Sequence, residues 1–449
     1  MKTRSWLGCI VAIAAGMAMV ACASEPHPID LATTLRLGGA RAFAVEAARE
    51  RVRQSRARLD QDRLAAWPWL APGIAYRRHD GYLQDIVGDV FDASKHQGSS
   101  SLGLQAQVDP GDAWYRVLAS RQALRAVEAD ADAQGRQSLL AAAQGYVELS
   151  RAAALVAASG DAVRVASETL RKVENATVAG VASEADAQRA RLRHGRVHAA
   201  HAKALADHTV ASARLAELLR LPPSTLLAPD LREFVPTSLL PPERPLDALV
   251  AAALAARPEL QRARAAIGEA GARRDGVHRG PWIPSVGASA GAGGIMGGRN
   301  GGLGSGGAFG DYGLGVAWRI GPGGIGDRTR VRAADAAVRL AEIERDQAAA
   351  RITREVVELH SRAAASAGSI GLASSNIVSA RRLLAITQGR KDFGFGAVTD
   401  VLEAERELAD AQAEGIDEVA AHNQFQWRLW HASGEPLRIP EPPVASRGP

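Results

Sequence analysis

The sequence predicts a mainly α-helical fold with a small β part, laid out twice along the chain. Three observations carry this reading. Two long stretches lack proline, short motifs recur in order in the two halves, and each half contains one strictly alternating segment.

No proline occurs between Pro110 and Pro222, or between Pro322 and Pro436. The spans are nearly equal, 222 − 110 = 112 and 436 − 322 = 114 residues. Proline costs roughly 3 kcal/mol inside a helix, so these stretches permit very long helices. Two antiparallel helices folded at the middle of each stretch would be rods on the order of 80 Å. Gly180 and Gly394 lie near those middles and are expected at the turns. Ile352, Val356, Leu359 and Ala363 step by 4, 3 and 4, a coiled-coil-like seam.

The repeat is visible in three places. Pro68-Trp69-Leu70-Ala71-Pro72 is similar to Pro281-Trp282-Ile283-Pro284, and Tyr146 to Arg151 is similar to Val357 to Arg362. Gly180 precedes Asp186 by the same six residues by which Gly394 precedes Asp400. The offsets, 284 − 72 = 212, 357 − 147 = 210 and 400 − 186 = 214, drift as an old duplication with small insertions would.

Each unit reads as helix, strand, loop, strand and two long helices. In the first, residues 31–66 are expected to be helical and a strand to begin near Pro72. Leu102, Leu104, Ala106 and Val108 then share one strand face, opposite Gly103, Gln105 and Gln107. In the second, Leu314, Val316, Trp318 and Ile320 oppose Gly313, Gly315, Ala317 and Arg319. An apolar face opposite a small or polar one suits a membrane barrel strand, with lipid outside and water inside, and also an ordinary half-buried strand. Trp318 is expected to face lipid near the membrane boundary. The Gly-rich run from about Ala292 to Gly310 is expected to be a mobile surface loop. A phosphate cradle would need a following helix N-terminus, and here a strand follows.

The start of the chain reads as an export signal: Lys2 and Arg4, an apolar stretch from Trp6 to Val20, then small residues. Met19-Val20-Ala21-Cys22 resembles the bacterial lipobox, which implies cleavage and lipidation of Cys22. Ala23 follows it, rather than the Asp that retains many such lipoproteins in the inner membrane. The expected divisions are therefore a signal peptide (1–21), a first repeat (22–221), a Pro-rich linker (222–246), a second repeat (247–435) and a Pro-rich tail (436–449).

Composition narrows the function. Hydrophobic residues are 47% but aromatics only 4%, so the apolar content is mostly small side chains suited to closely packed helices. A net charge of +5, with no basic block interleaved with aromatics, gives no sign of nucleic-acid binding. The only cysteines are Cys9 and Cys22, so the mature chain has no disulfide. No carboxylate pair, Ser/His/Asp set or Cys cluster suggests catalysis, and no cofactor is expected. His194, His198, His201 and His208 are spaced by 4, 3 and 7 along one helix face, so two of them could share a metal. A wet helix face is the simpler reading, and the first three stand as weak metal candidates.

Taken together, these residues resemble the outer membrane efflux protein family, the TolC-like outer-membrane factors, over nearly all the mature chain. The carriers are Gly180 to Leu192, Arg257-Pro258-Glu259-Leu260, and Phe393 to Gln412, in which Asp400-Val401-Leu402-Glu403-Ala404-Glu405 is similar to the family's D-V-L-D-A element. The resemblance implies long antiparallel helices forming a periplasmic tunnel, and four strands per chain contributing to a trimeric transmembrane barrel. It implies a homotrimer in the outer membrane, docked to a periplasmic adaptor protein and an inner-membrane pump. It also implies acidic rings at the periplasmic gate, carried over to Asp400 and Glu403. The family's Tyr and Arg latch has Lys391 and Gly396 in its places, which implies a latch absent or rebuilt. Independently of the resemblance, four strands in lipid leave open edges that only further chains can satisfy. The expected function is a passive exit duct for small molecules in a tripartite efflux pump. The alternatives are the outer-membrane component of a protein-secretion system and a structural periplasmic lipoprotein without a pore.

Overall fold

A computed structural model describes residues 26–222, 224–230, 234–241, 244–299, 304–392 and 396–437. The signal peptide, Cys22, Gly394 and the tail from residue 438 lie outside the described residues.

The chain runs β1 (His27–Ile29), α1 (Leu31–Arg41), α2 (Phe43–Leu64), β2 (Trp69–Gln84), β3 (Val90–Val108), α3 (Pro110–Val178) and α4 (Glu184–Leu218). It continues through β4 (Leu227–Pro229), α5 (Leu246–Ala256), α6 (Pro258–Arg279), β5 (Ser285–Arg299), β6 (Ser305–Ala317), α7 (Arg328–Asp392) and α8 (Val398–Ser433). Prolines begin α-helices rather than interrupt them. Pro110 and Pro258 open α3 and α6, where a missing N–H has no intrahelical partner to lose. Gly434, at φ 73°, closes α8 in the left-handed conformation.

The proline-free stretches do not fold at their middles. α3 has 69 residues and α7 has 65, each about 100 Å long, while α4 and α8 have 35 and 36. The reason lies in packing. One half of α3 is covered by α2 and α6, and only its other half needs a hairpin partner, α4. The expected helix over 31–66 is broken at Ala42, whose ψ of 135° separates α1 from α2.

The strands form one four-stranded antiparallel sheet in the order β2-β3-β5-β6. The helices beside it follow the same order, α2 on α3, α3 on α6 and α6 on α7. The Gly-rich segment is not a surface loop. β5 runs to Arg299 and β6 starts at Ser305, so most of it is a paired hairpin. Composition misled here because ladder hydrogen bonds need only backbone, and the missing side chains cost packing rather than pairing. β6 ends at Ala317, so Trp318 and Ile320 lie beyond the strand that alternation alone extended through them.

The cores are thickest where short elements wrap the middle of the long helices. Ile29, Tyr146, Leu149, Leu215, Leu219 and Leu227 pack β1, α3, α4 and β4 together. The Pro-rich segment passes through this belt, with β4 parallel to β1. In the second unit Leu249, Ala253 and Leu260 pack against the seam residues Ile352, Val356, Leu359 and Ala363, all buried. Arg257 is buried and donates to Glu259 and, from α7, Glu355, which ties the start of α6 to α7. The burial of Ala119, Ala129, Ala142, Ala143 and Ala152 shows what the small side chains do. They let α3 accept neighbours along much of its length.

Candidate functional site

Two places could carry transport, the sheet at one end of the long helices and the helix turns at the other. Directly paired residues of an antiparallel sheet project to the same face, so the register sorts side chains without ambiguity. One face carries Leu70, Pro72, Ile74 and Tyr76 of β2 with Val108, Ala106, Leu104 and Leu102 of β3. The same face carries Val286, Ala288, Ala290, Ala292 and Met296 of β5 and Val316, Leu314, Tyr312 and Ala308 of β6. From Val108 to Gly98 this band is eleven residues long on β3, about 34 Å along the strand. Tilted as barrel strands are, it would be about 25 Å tall, the height of a membrane barrel's apolar belt.

Beyond the band the same face turns polar. Asp80 pairs with Arg78 at 2.6 Å and accepts from the Ser94 hydroxyl at 2.6 Å, and the Tyr76 hydroxyl meets His96 Nδ1 at 2.6 Å. At the helix-side end Trp282 and Trp318 are exposed, and Trp318 Nε1 donates to the Trp282 carbonyl at 3.4 Å. The opposite face carries Ser99, Ser101, Gln105, Gln107, Ser289, Asp311 and many glycines, with Ile295 and Phe309 as apolar exceptions in its middle and Trp69, Leu83 and Phe91 towards its ends. Leu314 is 80% exposed and Ile74 92% exposed in the isolated chain, so none of the described residues covers the apolar face there.

At the other end the two turns lie together, since Val398 joins Val173, Ala187 and Ala190 in one cluster. Gly180, at φ 73°, makes the first turn, as its position suggested. The turns are related by the repeat but differ in charge. At the first, the Ser183 hydroxyl accepts from the Asp186 N–H and donates to its carboxylate at 2.7 Å, and Arg189 pairs with the same carboxylate at 3.1 Å. The Ser183 hydrogen bond, first among several, holds Asp186 below its ordinary value. At the second, Ala397 and Glu403 stand where the first unit has Ser183 and Arg189. Asp400 and Glu403 are both exposed, and neither has an ion-pair or hydrogen-bond partner among the described residues. One turn thus carries a paired acid and the other two acids without a partner among the described residues, one helical turn apart.

Glu405, quoted above only as the end of a motif, has the most altered surroundings near these turns. It is buried, and the Thr169 hydroxyl of α3 donates to it. Arg193 of α4 donates to its backbone carbonyl at 3.2 Å. Burial raises its pKa, against the lowering influence of Thr169, Arg193 and Lys391. A signal was present in the sequence. Val398, Val401, Glu405 and Leu408 step by 3, 4 and 3, which places a carboxylate in an apolar stripe.

The histidines separate. His194 and His198 approach to 3.1 Å between their Nε2 atoms, while His201 turns to the Ser159 hydroxyl of α3 at 2.9 Å. Among the described residues no group of three or more His, Cys, Asp or Glu could hold a metal ion. No described helix is long and apolar enough to cross a membrane.

Residues 249–435 match the model of the outer membrane efflux protein family. No curated protein sequence matches the chain. By fold it is similar to the outer-membrane channel OprN, at a TM-score of 0.74 and 19% identity over 90% of this chain and 89% of that one. It is similar to the CmeC outer membrane channel of Campylobacter jejuni at 0.74 and 17%, over 90% and 85% of the two chains. The open state of the MtrE outer membrane channel of Neisseria gonorrhoeae gives 0.69 and 18%, over 90% and 88%.

Proposed function

We propose that this chain, whose residues 249–435 carry an outer membrane efflux protein domain, is the protomer of a trimeric duct in the outer membrane. It lets small molecules leave the cell passively, as the exit of a tripartite pump completed by a periplasmic adaptor and an inner-membrane transporter.

The observation that carries this reading is the coincidence of two open edges. β2 and β6 end the sheet, and α2 and α7 end the helical layer beside it, in the same order. An open strand edge in lipid leaves unpaired N–H and C=O groups at several kcal/mol each. A neighbouring copy that sets its β6 against β2 and its α7 against α2 closes both layers at once. Such an interface is head-to-tail, and with a rotation that closes it forms a ring. The number three comes from the family resemblance. In this ring the Leu104 and Leu314 face meets lipid and the Gln105 and Ser289 face meets water. A structural lipoprotein without a pore would have no use for that division.

In the same assembly the exposed Asp400 and Glu403 form acidic rings at the periplasmic mouth, and Cys22 carries the lipid anchor. The two repeats, 22–221 and 247–435, each supply one strand pair and one long hairpin to the wall. The test is conductance of the purified protein in planar bilayers. Discrete, long-lived channels are expected. Vesicle association without any conductance would overturn the duct.

A further inference from the structure

On α4 the helix geometry brings two imidazoles to one point. His194 and His198 are four residues apart, their rings cross at 62° with centroids 4.4 Å apart, and their Nε2 atoms are 3.1 Å apart. We propose that they form a bidentate site for a late first-row divalent cation, copper(II) above zinc(II), on the outer part of the α3–α4 hairpin.

The distance is the first argument. Two nitrogens each about 2.05 Å from one metal stand about 2.9 Å apart at a right angle and about 3.3 Å apart at the tetrahedral angle. The observed 3.1 Å lies between these values. Closing the site therefore needs small ring rotations and no backbone movement.

The hydrogen-bond network is the second. The Ser167 hydroxyl donates to the Val163 carbonyl at 2.7 Å, so it can only accept from His194 Nε2, which lies 3.2 Å away. A His194 tautomer with its proton on Nε2 serves both Ser167 and His198 Nε2. A metal ion between the rings takes the lone pairs of both Nε2 atoms, and the His194 proton moves to Nδ1 of the same neutral ring. Ser167 keeps its bond to Val163 and turns an oxygen lone pair toward the ion, beside waters in the remaining positions.

Access and charge are the third. His198 is exposed and His194 half-buried, so ligand exchange is open to solvent. Two neighbouring arginines of α4 are occupied elsewhere, and Arg196, two residues from each histidine, lies on a different side of the helix. Arg191 pairs with Glu174 at 2.9 Å and Glu184 at 3.4 Å, and Arg193 points to the Glu405 carbonyl. On α3, Arg164 lies between Asp161 and Glu168. Imidazole pairs suit copper and zinc, and the general order of divalent affinities places copper first.

The test uses full-length protein in detergent with copper(II) as the probe, and neither a bilayer nor a pump. Its failure therefore leaves the duct reading untouched. Titration should show one site per chain, and electron paramagnetic resonance should show coupling to two imidazole nitrogens. His198→Gln, at an exposed position, should weaken binding roughly tenfold or more, and His194→Gln should do the same. His208→Ala, further along α4, should leave the site unchanged. Unaltered affinity in both Gln variants, or a spectrum without nitrogen coupling, would overturn the assignment.

Discussion

Thr169 of α3 hydrogen-bonds the buried side chain of Glu405 on α8, joining a helix of the first repeat to a helix of the second near the acidic turn. Its Oε2 has no hydrogen-bond partner among the described residues, and Arg193 Nε beside it has none either. The contact therefore holds a carboxyl group whose ionised form is poorly solvated.

This contact should depend on pH. Burial raises Glu405 above its ordinary value of 4.5, despite Thr169, Arg193 and Lys391. For a raised group, the folded state binds the proton more tightly than the unfolded state. Its contribution is fully present below the unfolded value and is lost as pH rises through the folded one. Stability of the α3–α8 contact should fall over that window in the wild type. In Glu405→Gln, which keeps the shape of the neutral acid, that fall should disappear. Hydrogen exchange of α8 amides across the window measures it, and an identical fall in the variant would refute the assignment.

Asp400 and Glu403 should control ion passage. Three copies would place six carboxylates at one narrow mouth and favour hydrated cations there. Asp400→Ala combined with Glu403→Ala should reduce cation selectivity and weaken block by multivalent cations added from the periplasmic side. Asp60→Ala with Asp62→Ala, far from the turn, is the control. Reversal potentials in bilayers decide, and unchanged selectivity would make both residues ordinary solvated acids.

The two sheet faces should respond oppositely to charge. Leu104 lies near the middle of the apolar band, where an arginine facing lipid costs about 2–4 kcal/mol. Leu104→Arg should lose heat-resistant assemblies, whereas Gln105→Arg should keep them and change conductance. Brominated lipid should also quench Trp318 in a variant retaining it as the sole tryptophan. Equal effects of the two arginines would reverse or abolish the division of faces.

Cys22 should be acylated. Radiolabelled palmitate is expected to enter the wild-type protein and not Cys22→Ser. The variant should still fold, because none of the described core depends on the anchor. Absence of label in the wild type would remove the anchor from the proposal.

Some features were legible in the chain because they follow from local chemistry. Missing prolines permitted α3 and α7, the 4-3-4 stepping of Ile352, Val356, Leu359 and Ala363 located a buried seam, and alternation through Leu102 to Val108 oriented β3. The duplication, too, is a property of order along the sequence. Backbone pairing was not legible, because a ladder needs no side chains, and so the glycines of 292–310 read as loop while the structure pairs most of them. Gly180 marked the first turn, but spacing could not give the unequal lengths of α3 and α4, which depend on how much of α3 is already covered by α2 and α6. The charge difference between the turns could be written down from Arg189 and Glu403. Its meaning lies in the fold, where Asp186 pairs with Arg189 and Asp400 has no partner among the described residues. Periodicity placed Glu405 in an apolar stripe and His194 one turn before His198, but tertiary packing decided that Thr169 meets Glu405 and that His201 turns to Ser159, because periodicity names a face of a helix and only the neighbouring helices determine what that face touches.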